Sequence, residues 1–158
     1  MASSRSFSTS PNMPAEIVIL IGSQVAMKTS FYLERYLHTH VRIAFEQLKT
    51  RQREDILVQA CLMAKQPFVV DNLNVTRLDR ARYITAAKPA GFRVTGYYFS
   101  TGQAIGGALE LPRLEEGFSA LSYVKQDNGQ FDVSPWAENY IINLHLTEVE
   151  PSDGRGKP

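Results

Sequence analysis

Helices and strands alternate along the chain, and this predicts an α/β fold: a three-layer sandwich on a parallel sheet with right-handed crossovers. Three stretches carry the expectation. Ile17 to Ile21 is a continuous aliphatic run, as a strand buried on both faces requires. Residues 53–65 place Ile56, Leu57, Ala60, Cys61 and Ala64 on the stripe of a core-facing helix. Residues 92–99 are rich in aromatic and β-branched side chains, the strongest strand signal in the chain.

In chain order, residues 1–14 are Ser-rich, with Arg5 the sole basic residue and no acidic one, and read as a flexible tail. The same features also resemble a short mitochondrial targeting segment, which sets mitochondrial against cytoplasmic localisation. Residues 28–37 form a helix with Phe31, Leu33, Tyr36 and Leu37 as its apolar sides, and 41–45 a short strand. Pro67 breaks the helix over 53–65, so Phe68–Val70 becomes a strand ending at Asp71. Residues 77–90 form a helix with a basic outer face, stopped by Pro89 and Gly91. Small residues over 100–110 form a loop, and 113–126 lead by a turn into a last strand over 120–125. Asp127-Asn-Gly129 is a turn signal. Ser134-Pro135-Trp136 opens a short helix with Ser as N-cap, and Ile142, Leu144 and Leu146 alternate like a strand. The organisation is therefore a tail over 1–14, a domain over 15–126 and an extension over 127–158. The Trp136 to Leu146 part of the extension is a docking segment on the domain or on a partner, and residues 148–158 are disordered.

The 158 residues make one domain, large enough to bury roughly two-thirds of its unfolded surface. With 17 basic and 16 acidic residues, no global field argues for nucleic acid or an anionic membrane. No apolar run approaches the roughly 18 residues of a membrane span. The lone Cys61 forms no internal disulfide, in keeping with a reducing compartment.

Chemistry concentrates at the end of the first strand. Gly22, Lys28 and Thr29 stand at the spacing of G-x-x-x-x-G-K-[ST], in which backbone N–H groups converge on phosphate oxygens, Lys reaches the terminal phosphates and the hydroxyl holds Mg²⁺. Met27 occupies the second glycine position, where a Cβ opposes positive φ and close backbone approach. The structural alternative is a plain helix start at Lys28-Thr29. His38 and His40 lack a third ligand nearby, so no metal site is expected, and Cys61 reads as an inert buried thiol.

Set beside this loop, Asp71-Asn-Leu-Asn-Val-Thr-Arg77-Leu-Asp-Arg80-Ala-Arg82-Tyr and Ala90-Gly-Phe-Arg-Val-Thr-Gly-Tyr-Tyr-Phe99 resemble the P-loop polynucleotide-kinase-like family over roughly residues 16–125. The resemblance implies transfer of the ATP γ-phosphate to a hydroxyl, often a polynucleotide 5′ end, by positioning and charge neutralisation. It assigns Lys28 to the phosphates, Thr29 to Mg²⁺, Asp71 to Mg²⁺ through water, and Glu46 to the place of the aspartate that activates the acceptor. It also exposes departures: Val25 and Met27 replace loop glycines, Glu46 is one methylene longer than aspartate, and 100–110 is a reduced lid with no Arg or Lys. An arginine of that kind is worth about 10³–10⁵ in rate in the GTPase case.

The expectation is a degenerate P-loop kinase-like protein with no cofactor, acting as an accessory or structural subunit of a larger complex, with a mitochondrial complex as the host if the N-terminal segment is a targeting signal. Two alternatives stand beside it: an active ATP- and Mg²⁺-dependent polynucleotide or small-molecule kinase, and a nucleotide-binding sensor. Nucleic acid is a partner only under the kinase alternative. The structural readings are Asp71 in a turn with Asn72 and Asn74, Arg77, Arg80, Arg82 and Arg93 on a solvated face, and Tyr97-Tyr98-Phe99 in the sheet.

Overall fold

The computed structural model describes residues 14–100 and 109–137. Six strands form one mixed sheet, β1 (Glu16–Ile21), β2 (Val41–Ile43), β3 (Phe68–Val70), β4 (Arg93–Phe99), β5 (Ala120–Asp127) and β6 (Gln130–Pro135), in the order β2-β3-β1-β4-β5-β6. The first five pair in parallel and β6 returns antiparallel. The helices are α1 (Val25–Arg35), the short α2 (Phe45–Leu48), α3 (Arg51–Ala64) and α4 (Arg77–Ala87).

Crossovers set the layers. The chain leaves β1 toward one edge and passes from β2 through β3 to β4 in the other direction, and right-handed connections of opposite direction put their helices on opposite faces. Alternation along β1 serves both: Ile17, Ile19 and Ile21 pack with Val58, Leu62 and Tyr83 of α3 and α4, whereas Val18 and Leu20 pack with Phe31 and Tyr32 of α1. The predicted α/β layering is therefore present, with a mixed rather than purely parallel sheet.

The departures have local causes. β6 forms because Asp127-Asn128-Gly129 closes a hairpin, with Asn128 at φ +49° and Gly129 at φ +77°. Ser134 and Pro135 consequently end a strand and do not open a helix, and Trp136 packs edge-on against Tyr98, their centroids 5.9 Å apart. The rest of the proposed docking segment and residues 1–13 lie outside the described residues. On α3 the buried stripe is Glu54, Val58, Cys61 and Leu62, while Ile56 is 61% exposed, so the inward face is rotated from the one expected. A fully buried carboxylate, Glu54, lies on that inward face. Among the described residues no helix is long and apolar enough to cross a membrane.

Candidate functional site

The site lies at the carboxyl ends of β1, β2 and β3, where a cleft of about 370 Å³ is lined by Lys28, Glu46, Asp71, Asn72 and Tyr83 among others. Val25, half exposed, and Glu46 separate it from a second, more open hollow reached by Thr29 and Arg42. Sheet geometry explains the place, since ligand crevices of open α/β sheets form beyond the strand carboxyl ends.

The loop from β1 into α1 is only Gly22-Ser23-Gln24. Gly22 has φ +139°, and a Cβ there would stand 2.8 Å from the Phe99 carbonyl, so glycine is required for backbone approach. Its N–H donates to the Leu73 carbonyl at 2.9 Å, tying the loop to the segment after β3. α1 begins at Val25, three residues before the predicted Lys28 start. The Lys28 N–H is already an intrahelical donor, 3.0 Å from the Gln24 carbonyl, and the Val25 N–H bonds Ser23 at 3.0 Å. Met27 does not enter the cleft; it packs on the Phe31 cluster. The expected steric conflict at Met27 is thus absent, because α1 starts early and Met27 lies within it.

Lys28, Thr29 and Asp71 are brought together. Lys28 is 1% exposed and its Nζ donates to the Asn72 carbonyl at 2.5 Å. Burial pushes its pKa from 10.5 down to about 8, partly opposed by Asp71 and reinforced by Arg42. Thr29 Oγ1 donates to Asp71 Oδ2 at 2.9 Å, and Arg42 Nε donates to the same oxygen at 2.9 Å. Glu46, by contrast, sits exposed on α2 at the cleft's lip.

Sequence reasoning did not single out Arg42, Glu54 or Tyr83. For Arg42 a signal existed: strand alternation turns it to the face opposite Ile43, the α1 side on which Thr29 stands. Glu54 had none, because a carboxylate is normally read as solvated. Its carboxylate accepts from the Tyr83 hydroxyl, from Arg51 at 2.9 Å and from Asn72 at 3.3 Å. Burial and this hydrogen bond raise the Tyr83 pKa well above the usual tyrosine range.

The motif after β3 is occupied by internal bonds. Asn72 Oδ1 accepts from the Phe45 N–H at 2.7 Å, and Asn74, at φ +50°, donates to the Leu20 carbonyl at 2.8 Å. Thr76 and Asp79 form a capping box on α4. Arg80 is fully buried, bidentate to Glu116 at 2.9 and 3.1 Å and bonded to the Asn74 carbonyl at 3.0 Å. The solvated-face reading therefore fails for Arg80, whose neighbours Arg77 and Arg82 are exposed and face Glu115 and Asp55. His40 is buried against Glu16, with Nε2 to Oε1 2.9 Å. Among the described residues no His, Cys, Asp and Glu cluster could hold a metal. Cys61 is buried, which raises its thiol pKa.

No family model matches the chain, and comparison with curated proteins yields no match.

Proposed function

We propose that this protein is a catalytically degenerate member of the P-loop kinase-like class, with a reduced lid, that serves as an accessory or structural subunit of a larger assembly, a mitochondrial complex being the proposed host. One observation carries the catalytic half. A phosphate loop works through amides left free to converge on oxygens, and here the loop is three residues long with the Lys28 amide spent inside α1. Charge supports the same reading. The cleft lining sets Lys28, Arg51 and Arg82 against Glu46, Asp71 and Asp79, three cations to three carboxylates, so it offers no excess of positive charge to a triphosphate. ATP with Mg²⁺ does not fit these residues as they stand, and no step is assigned to it.

The assembly half rests on outward apolar side chains. Ile56 and Met63, seven apart on α3, are 61% and 83% exposed, and Leu78 on α4 is 82% exposed. Ile56 and Met63, two turns apart on one side of α3, offer a protein partner an apolar stripe.

A second reading, an ATP-dependent kinase, draws on the meeting of Lys28, Thr29 and Asp71 with Glu46 at the rim of the same cleft. Calorimetric titration with ATP and Mg²⁺, together with γ-phosphate transfer to 5′-hydroxyl oligonucleotides, separates the two. The expected result is no heat at millimolar ATP and no transfer. Binding tighter than about 100 µM, or turnover abolished by Lys28→Ala, would overturn the degenerate reading. Native migration as a lone monomer would overturn the assembly half.

A further inference from the structure

We propose that Arg42 is a built-in cation that takes the place of a divalent metal between Thr29 and Asp71. This deepens the preceding reading and rests on taking those two residues as what remains of a cation site.

The geometry is specific. Arg42 Nε and Thr29 Oγ1 share one oxygen, Asp71 Oδ2, each at 2.9 Å, and Arg42 Nη2 lies 3.4 Å from Thr29 Oγ1. The Thr29 hydroxyl thus gives its proton to the carboxylate, and the guanidinium faces one of its two lone pairs. The Asp71 side chain is 2% exposed and that of Arg42 is 23% exposed, so the pair is shielded and its charges weakly screened. Lys28 adds a second cation beside Asp71. A divalent ion entering here would meet two fixed positive charges and a single carboxylate, and Mg²⁺ binding demands oxygen ligands at about 2.0–2.1 Å. The guanidinium must leave before those ligands become available.

Arg42 also gains from staying. It lies on the edge strand β2, and its bonds tie that strand to α1 and to the end of β3. The positive charge a metal would have supplied is thereby covalent, permanent and independent of metal supply.

The experiment uses Mn²⁺ alone, without nucleotide, added to the ¹⁵N-labelled full-length chain and read by paramagnetic broadening of amide resonances. Wild type is expected to show no selective broadening at Thr29, Asp71 or Asn72 up to about 1 mM. Arg42→Gln, which is shorter and uncharged but keeps an N–H donor, and Arg42→Ala are expected to broaden those amides at no more than one-tenth of the Mn²⁺ needed by wild type. Adding Asp71→Asn to either variant is expected to abolish the effect. Selective broadening in wild type as strong as in the variants would overturn the proposal, as would its absence in a folded variant. Should neither variant fold, Arg42→Lys, which keeps the charge and loses the fork, must still exclude Mn²⁺, and broadening there overturns the proposal. Because nucleotide is absent throughout, failure here leaves the ATP titration untouched, and ATP binding there leaves this result untouched.

Discussion

Replacing Lys28 by Met is expected to stabilise the protein at neutral pH and to remove part of its alkaline profile. Burial brings the lysine from 10.5 down to about 8, a depression equivalent to about 3 kcal/mol between its two protonation states. Below the lower value both folded and unfolded chains carry the proton, so the whole cost of a buried ammonium is present. Between about 8 and 10.5 the unfolded chain holds a proton that the folded chain has released, so stability rises with pH across that window. Met has no such proton. The hydrogen bond to the Asn72 carbonyl is lost in the variant and takes back about 1.5 kcal/mol, leaving a net gain of about 1–2 kcal/mol at neutral pH. Raised tyrosine pKa values at Tyr36 and Tyr83 give an opposite slope at higher pH, but both proteins share it and it cancels in the difference. Urea unfolding of the two proteins from neutral pH to about 10.5 provides the assay. Parallel profiles, or a Met variant less stable at neutral pH by more than about 1 kcal/mol, would refute the reasoning.

Other expectations follow from the same geometry. Arg80→Met leaves Glu116 buried and unpaired and should cost about 3–5 kcal/mol in chemical denaturation, while Arg80→Met with Glu116→Leu should recover most of it; a single-variant loss below about 1 kcal/mol would return Arg80 to the solvent face. Trp136 is the sole tryptophan, and its indole N–H is buried with no hydrogen-bond partner among the described residues. Trp136→Phe, followed by circular dichroism, should therefore change stability by less than about 1 kcal/mol, against about 3–5 kcal/mol for Trp136→Ala. Val25→Gly with Met27→Gly should lower stability by about 1 kcal/mol through helix propensity alone, without bringing ATP binding; restored binding would locate the defect in side-chain bulk and not in the early helix.

Much of the scaffold was legible because its signals are local. The aliphatic run of β1, the aromatic β4 and the Pro67 break each follow from a few adjacent residues, and their strands sit where expected. What was missed depends on partners distant in sequence. Glu54 reads as solvent-facing until Tyr83 and Asn72, 29 and 18 positions away, arrive to satisfy it. Arg80 reads as a surface charge until Glu116 buries with it. The pairing of Lys28 and Thr29 was legible from spacing and the approach of Asp71 was implied by the resemblance, but the start of α1 was not legible. No side chain caps that helix, so no cap residue announces Val25. The Thr76-x-x-Asp79 capping box was in plain view as a short motif, yet the longer motif containing it drew the reading toward catalysis.

That overlap bears on how the motif after β3 is weighed. Asn72 holds α2 and Glu54, Asn74 staples β1 at a positive φ, Thr76 and Asp79 start α4, and Arg80 anchors the turn at Glu116. Each of these residues has a structural task whose loss costs stability whether or not phosphate is ever transferred. Presence of the motif therefore does not discriminate between a working kinase and a scaffold. Discrimination falls to positions whose only demand is chemical. The Lys28 amide has no structural need to point outward, and here it bonds the Gln24 carbonyl inside α1. Thr29 and Asp71 have no structural need for a metal, and here Arg42 satisfies them. Glu46, on the lip of the cleft, forms no ion pair among the described residues, and Glu46→Gln should consequently leave stability within about 0.5 kcal/mol of wild type. A larger loss would assign that carboxylate a structural task as well and remove it from the positions that can report on catalysis.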